Sequence, residues 1–206
     1  MADQGDSYTR RVLVLVPVKA FGRAKLRLAE VLDGPARAAL AREMADRVLT
    51  AAAPLPIAVV CDDDAVAAWA ESRGARVLWR PGHGLNGAVN DAVTTVAAEG
   101  VDRVLVTHAD LPLATGFDEV LSVEGDGVVL VPDRHEDGTN VAVVPAASGF
   151  TFAYGPGSFD AHRKEAERLS LPLRVERPPR LTWDVDVPAD LLLPADVPTT
   201  PLLAAG

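Results

Sequence analysis

The sequence has little cysteine and an unbalanced charge. Its 206 residues include one cysteine, Cys61, which excludes an internal disulfide or a cysteine-based zinc cluster and fits a reducing cytoplasm. Twenty Lys and Arg residues stand against 29 Asp and Glu residues, so the net charge is −9. An acidic balance of this kind argues against non-specific binding to nucleic acid or to an anionic membrane.

Long apolar runs are also lacking. No run approaches the roughly 18 residues that a membrane helix needs. The first residues, MADQGDSYTRR, contain no apolar segment of the kind found in a secretory signal. The sequence therefore predicts a cytoplasmic protein without a membrane partner. Because 49% of the residues are apolar, a chain of this length can bury one full core.

Short apolar runs alternate with helical patterns, which is typical of an α/β sandwich around a largely parallel sheet. We predict a single domain over residues 11–193, with flexible termini at 1–10 and 194–206. Helices are expected after the cap Asp33, after Asp62–Asp64, after Asn86 as a cap, and over Ser158–Leu169. The predicted strands are Val12–Val16, Ile57–Cys61, Arg76–Trp79, Arg103–Thr107, Gly127–Val131, Val141–Val144 and Leu173–Glu176.

The densest positive cluster directly follows the first predicted strand. In VLVLVPVKAFGRAKLRLAEVL, Pro17 ends the apolar run, and Lys19, Arg23, Lys25 and Arg27 come next. Ligands of open α/β sheets bind beyond the carboxyl ends of the strands. The loop is neither a Walker A motif nor a Rossmann glycine fingerprint. Lysine point charges and arginine forks nevertheless suit a triphosphate, whereas the alternative is a solvated loop that only favours solubility.

A glycine-rich stretch, GHGLNGA, follows the third predicted strand. Small residues at a helix start permit close backbone approach and leave N–H groups free for an anion. We therefore expect this stretch to approach an anionic ligand, with Asn86 as one candidate contact. Asn86 could equally cap the helix, and His83 is expected to be structural.

Aspartates occur at notable positions in two further segments. Asp110 closes VLVTHADLP at the edge of a strand, where capping a turn is its alternative role. Asp184 and Asp186 share one face of WDVDVPADL if this segment is extended. Mg²⁺ prefers one or two carboxylates together with substrate phosphates, and paired carboxylates repel each other unless a cation is near. We predict metal binding by Asp110 and by at least one of Asp184 and Asp186, with Asp186 favoured.

Two glycine-containing turns, HEDGTN and YGPGSF, carry hydroxyl groups. Thr139 lies in the first turn, whereas Gly155 and Ser158 lie in the second, with Ser158 at a predicted helix start. Hydroxyl and backbone N–H groups in this arrangement can bind a second anion. The alternative is that both are simply tight turns.

These motifs, taken together, resemble the guanylyltransferase family of coenzyme F420 biosynthesis, whose members join GTP to phosphoenolpyruvate or 2-phospho-L-lactate. The resemblance covers residues 12–193 and rests on VPVKAFGRAKLRLA, GLNGAVNDA, ADLPL, VPDRHEDGTN, YGPGSFDAHRKEA and DVDVPADL. Two departures are Leu26, where a serine is frequent, and Val187, where a threonine is more usual. Neither departure removes a charge.

The resemblance implies a nucleotidyltransferase-type three-layer α/β sandwich with a mixed, mainly parallel sheet. It also implies Mg²⁺-dependent transfer of GMP from GTP to a small phosphorylated three-carbon acid. The implied catalytic residues are Lys19, Lys25 and Asp110. The residues implied for the nucleotide are Pro17, Lys19, Arg23, Lys25, Gly84 and Asn86; those for the phosphoacid are Thr139, Gly155 and Ser158; and those for the metal are Asp110, Asp186 and Asp184.

Two other functions stay open on the sequence alone. One is nucleotidyl transfer to another acceptor, such as a phosphosugar or molybdopterin, although the LAGG-type opening loop common in those enzymes is absent. The other is a non-catalytic nucleotide-binding module. The residues do not separate phosphoenolpyruvate from 2-phospho-L-lactate, although a composition typical of high-GC bacteria slightly favours the former. A homodimer is also an open alternative.

Overall fold

A mixed seven-stranded sheet runs through the part of the chain that the structure, a computed structural model, describes: residues 11–122 and 127–194. The strands lie in the order β3-β2-β1-β4-β6-β5-β7. Of the described strands, only β6 runs antiparallel to its neighbours. The strands are β1 Val12–Pro17, β2 Ile57–Cys61, β3 Arg76–Trp79, β4 Arg103–Thr107, β5 Val128–Pro132, β6 Thr139–Pro145 and β7 Leu173–Val175.

The reversed direction of β6 follows from the short connection before it. Antiparallel strands can be joined by a tight turn, whereas parallel strands need a long crossover. The Asp133 carboxylate stabilises this turn, because it accepts hydrogen bonds from the backbone N–H groups of His135, Asp137 and Gly138 at 2.8–3.1 Å. The mixed, mainly parallel sheet that the sequence predicts is confirmed.

Helices cover both faces of the sheet. They are α1 Gly34–Ala52, α2 Asp64–Ser72, α3 Gly84–Ala98, α4 Asp118–Leu121, α5 Ser158–Arg168 and α6 Pro179–Thr182, with 3-10 turns at Phe21–Arg23, Leu26–Leu28 and Pro188–Leu191. The predicted cap Asp33 accepts a hydrogen bond from the Ala36 N–H at 2.8 Å. Of the three candidate caps before α2, Asp63 is the one used, with a bond from Val66 N–H at 3.0 Å.

The start of α3 differs from the prediction. The helix begins at Gly84, two residues before Asn86, and His83 occupies the cap position without a side-chain bond. Asn86 therefore does not cap this helix, which was one of the two roles that the sequence left open for it. Most other boundaries lie within two residues of those predicted. Residues 1–10 and 195–206, which include most of the predicted flexible termini, lie outside the described residues.

Alternation along the strands sends apolar side chains to both faces of the sheet. In β1, Val14 and Val16 pack on the side of α1 and α2, whereas Leu13 and Leu15 pack on the side of α3 and α5. Both layers are therefore apolar, which is why the early strands read as continuous apolar runs. No helix of the described residues is long and apolar enough to cross a membrane.

A third apolar cluster lies beside the carboxyl edge of β1. Leu28, Leu40, Met44 and Val185 are fully buried there, and Trp183 packs against them. Leu28 belongs to the cationic loop, whereas Val185 lies between Asp184 and Asp186. This cluster therefore fixes the first loop against the C-terminal segment that carries the predicted metal ligands.

Candidate functional site

Two adjoining cavities open beyond the carboxyl end of β1, with volumes of about 330 and 190 Å³. They share the lining residues Pro17, Val18, Lys19, Arg23 and Leu85. The larger cavity is also lined by Phe21, Ala24, Lys25, Ala41, Met44, His108, Ala109, Asp110 and Asp186. The smaller is also lined by Ala20, Val60, Cys61, Asp62, Arg80, Gly84 and Ala88. The edge of the sheet that the sequence singles out is thus a continuous cleft.

Lys25 joins the two predicted metal-binding segments. Its Nζ lies 2.5 Å from Asp110 Oδ2 and 3.0 Å from Asp186 Oδ1, and its side chain is only 9% exposed. The Lys25 backbone is left-handed, with φ 53° and ψ 41°, a conformation uncommon outside glycine. Such conformations persist where the surrounding structure imposes them, and they cluster at functional sites.

The C-terminal segment is held beside Asp110 by the backbone as well as by Lys25. The Val185 N–H donates to the Asp110 carbonyl at 3.3 Å. Asp190 stabilises the turn that follows, because its Oδ2 accepts from the N–H groups of Asp186 and Val187 at 2.7 and 2.8 Å, while its other oxygen pairs with Arg134. These contacts fix the position of Asp186 from both sides.

The charges at this point are strongly coupled. Burial disfavours the Lys25 ammonium, but Asp110 and Asp186 outweigh it and raise the pKa of Lys25 to about 12. Burial also disfavours the Asp110 carboxylate, yet the attraction of Lys25 leaves its pKa below the ordinary value. Burial, with repulsion from Asp110 and Asp186, raises the pKa of Asp184 to about 6. Three aspartates therefore influence one another around a single buried ammonium.

The donor set fits a cation that arrives together with phosphate. Within residues 11–122 and 127–194, no three His, Cys, Asp or Glu side chains form a ready-made metal site. Two carboxylates nevertheless bind the same ammonium, and Asp110 Oδ1 is buried without a hydrogen-bond partner among these residues. Mg²⁺ is commonly bound by one or two carboxylates plus substrate phosphates. Asp110 and Asp186 match that pattern.

The structure brings most of the predicted nucleotide residues to the cleft. Pro17, Lys19 and Arg23 line both cavities, Lys25 lines the larger one, and Gly84 lines the smaller one. Asn86 is not among the lining residues. Its Oδ1 accepts from the Tyr154 N–H at 2.7 Å, and its Nδ2 donates to the Tyr154 carbonyl at 3.0 Å.

Several lining residues did not stand out in the sequence. Leu85 belongs to the GLNGA motif but was not itself predicted to line the site, and it lines both cavities. Asp62 and Arg80 line the smaller cavity. His108 lines the larger cavity, and burial lowers its pKa. Asp62, Arg80 and His108 stand directly after β2, β3 and β4, so position after a strand was the signal available for them.

The three predicted phosphoacid residues form a separate group. The Thr139 N–H donates to Ser158 Oγ at 3.1 Å, and both residues are buried. Gly155 is exposed and has φ 134°, a conformation that side chains rarely adopt. None of the three is among the described residues that line the two cavities. Ser158 begins α5, as predicted.

His162 supports this group from within the core. Its Nε2 accepts from the Ala153 N–H at 2.9 Å, so Nδ1 carries the ring proton and donates to Thr139 Oγ1 at 2.9 Å. Burial, with a smaller contribution from His108, lowers the pKa of His162 to about 4. The histidine is therefore neutral in the folded protein at pH 7.

This burial predicts a loss of stability in mild acid. The unfolded chain binds a proton at His162 below about pH 6.5, whereas the folded chain does so only near pH 4, so stability falls as the pH drops through that window. The shift corresponds to up to about 3 kcal/mol in the free energy of unfolding. Urea unfolding from pH 7 to pH 4 measures it. The His162→Gln variant should be less stable at pH 7, and its free energy of unfolding should change less with pH. Part of the pH dependence should remain, because burial also lowers the pKa of His108. An equal pH dependence in wild type and variant would contradict this assignment.

Comparison with known proteins agrees with the fold. A family model described as guanylyl transferase, CofC-like, matches residues 12–193. Phosphoenolpyruvate guanylyltransferases from Sphaerobacter thermophilus and Rubrobacter xylanophilus are each 37% identical over 187 residues; the matches cover 87% of this chain and 90% and 91% of those proteins. A solved nucleotidyl transferase from Methanothermobacter thermautotroptrophicus superposes with a TM-score of 0.60 at 15% identity, covering 88% of this chain and 94% of that one.

The structural likeness confirms the nucleotidyltransferase-type fold that the motifs implied, with helices on both faces of a mixed sheet. The family match spans nearly all of the described residues, including the cationic loop and both aspartate segments. The chain therefore belongs to the CofC-like guanylyl transferase family and is a guanylyltransferase.

Proposed function

We propose that this protein transfers GMP from GTP to phosphoenolpyruvate, with release of pyrophosphate, as a Mg²⁺-dependent step of coenzyme F420 biosynthesis in the cytoplasm. The acceptor 2-phospho-L-lactate is the closest alternative. The names of the relatives support phosphoenolpyruvate. The observation that carries the proposal is the bond of Lys25 to both Asp110 and Asp186 in the cleft that Lys19 and Arg23 also line.

The cationic loop suits the triphosphate. Lys19 and Arg23 line both cavities, so a nucleotide in either one meets these two cations. Their charges attract the β- and γ-phosphates, which leave together as pyrophosphate. The rest of the protein is acidic, so a small polyanion is favoured locally while large ones such as RNA are repelled.

The chemical step needs no protein nucleophile. An oxygen of the acceptor phosphate forms a bond to the α-phosphorus of GTP, and the bond from that phosphorus to the oxygen bridging to the β-phosphorus breaks. Because the acceptor phosphate is already ionised, catalysis consists of positioning and charge neutralisation. Lys25 supplies positive charge at the point where the two anions meet.

Asp110 and Asp186 would hold the magnesium ion, and Asp184 lies close enough to influence their charge. When bound, the ion supplies charge neutralisation between two phosphate groups that otherwise repel each other. Asp110 Oδ1 supports this assignment, since it is buried and accepts no hydrogen bond from the residues that the structure describes, which is costly for a carboxylate oxygen.

The acceptor is assigned to the turn formed by Thr139, Gly155 and Ser158. The bond from the Thr139 backbone to Ser158 Oγ supports treating them as one site, because it holds β6 and the start of α5 together. The exposed backbone at Gly155 provides a donor for an anion, and the buried Thr139 and Ser158 fix the turn that carries it.

A substrate matrix tests the proposal. Purified protein with Mg²⁺ is incubated with GTP, CTP or ATP in combination with phosphoenolpyruvate, 2-phospho-L-lactate or 3-phosphoglycerate, and pyrophosphate release is measured. We expect release with GTP and phosphoenolpyruvate. Release with CTP but not GTP would overturn the base assignment, and GTP binding without release for any acceptor would favour a non-catalytic module.

A further inference from the structure

Two asparagines of α3 bind the backbone of an extended segment that belongs to no strand. Asn86 exchanges two hydrogen bonds with the backbone of Tyr154, at 2.7 and 3.0 Å. Asn90, one helical turn later, exchanges the same pair with Phe152, at 2.8 and 3.0 Å. Residues four apart lie on one face of a helix, so the two amides act as a substitute for a neighbouring strand.

The Asn86 bonds connect the two parts of the proposed site. Asn86 follows Leu85, which lines both cavities of the cleft. Its partner Tyr154 immediately precedes Gly155 and packs its ring against His108, with ring centroids 5.0 Å apart. His108 in turn lines the larger cavity, two residues before Asp110. The Asn86 bonds and the Tyr154–His108 contact therefore both join the elements that line the nucleotide cleft to the turn at residues 154–158.

The side chain is fully engaged in this link. Both the oxygen and the nitrogen of the Asn86 amide bind the Tyr154 backbone, and the residue lies outside the lining of either cavity within the described chain. This accounts for the asparagine in GLNGA without a cap or a nucleotide contact.

We propose that Asn86 is a positioning residue for guanylyl transfer, which holds the acceptor turn at a fixed distance from the bound nucleotide. The inference rests on the proposed function, because it takes the turn at residues 154–158 as the acceptor site. Joining two anions demands accurate placement, and a displacement of about 1 Å can lower a rate by as much as 10²-fold. Asn90 stabilises the same segment but lies farther from the turn.

The variants Asn86→Ala and Asn90→Ala form a matched pair, since each loses two hydrogen bonds to the same segment. We expect both to lower the Tm by similar amounts. The Asn86→Ala variant should also lower kcat/KM for the acceptor on the order of tenfold or more, with KM for GTP unchanged. The Asn90→Ala variant should leave acceptor kinetics unchanged. Asn86→Gln keeps both the accepting oxygen and the donating nitrogen on a side chain one methylene longer, so it should show a smaller effect in the same direction. This variant keeps the test decisive if the alanine variant folds poorly.

Two kinetic outcomes would overturn the inference. Equal acceptor kinetics in the two alanine variants would make Asn86 purely structural, and a raised KM for GTP with an unchanged acceptor KM would make it a nucleotide contact. Hydrogen exchange at residues 153–158 gives a second readout that needs no substrate. Exchange there should be faster in Asn86→Ala than in Asn90→Ala, and equal exchange would also contradict the inference. Absence of transfer by the wild-type protein would instead be a failure of the proposed function.

Discussion

Replacing Asp110 by Asn should reduce turnover by roughly 10²–10³-fold, the scale of losing one charged contact in the transition state. The substitution keeps the shape of the side chain but removes the negative charge that binds Lys25 at 2.5 Å and that would hold magnesium. The fold should survive, because Lys25 retains its bond to Asp186. Steady-state pyrophosphate release and thermal unfolding together separate the two effects.

The control for this prediction is Asp118→Asn. Asp118 is an exposed carboxylate in the first turn of α4 and lines neither of the two cavities. This variant should keep wild-type turnover and nearly wild-type stability. If Asp110→Asn retains most of its activity at limiting Mg²⁺, the role assigned to Asp110 is wrong.

Replacing Lys25 by Met should lower turnover but raise the affinity of the free protein for a divalent ion. Turnover should fall by roughly 10²-fold, because the site loses its buried cation. Affinity of the nucleotide-free protein for a divalent ion should rise, because the ammonium occupies the carboxylates that the ion would use. Without the ion, three aspartates would face one another uncompensated, so the variant should also be less stable at pH 7 and regain stability as Mg²⁺ is added.

Mn²⁺ binding to the free protein, followed by electron paramagnetic resonance, measures the second effect. Arg27→Met is the matched control. Arg27 lies 3.8 Å from Asp186 with a side chain that is 74% exposed, and exposed pairs of this kind contribute little. It should leave Mn²⁺ affinity nearly unchanged. Equal Mn²⁺ affinity in wild type and Lys25→Met would show that the ammonium does not compete for the metal site.

Sequence patterns were sufficient to predict the sheet and the edge where the cleft lies. The strands are apolar runs bounded by proline, glycine and aspartate, so local composition determines where each begins and ends within about two residues. The rule that residues after parallel strands meet at the same edge accounts for Lys25, after β1, lying near Asp110, after β4. Asp186 follows no strand, and its metal role was predicted from the paired carboxylates of WDVDVPADL and from the resemblance.

Side-chain pairing could not be predicted in the same way. Lys25 binds aspartates 85 and 161 residues away, and no local pattern specifies that the ammonium lies between them. Asn86 shows the same difficulty, because an asparagine near a glycine-rich helix start is equally consistent with a cap. Its partner Tyr154 is 68 residues away. The roles of Thr139, Gly155 and Ser158 stay predictions.

The most direct test of the proposed metal site and nucleotide cleft is a crystal structure with Mn²⁺ and a non-hydrolysable GTP analogue. We expect the metal signal to lie between the carboxylates of Asp110 and Asp186, in contact with the phosphates, and Lys25 to have moved from the aspartates to the nucleotide. A nucleotide bound away from Lys19 and Arg23, or a metal that contacts neither aspartate, would contradict the account.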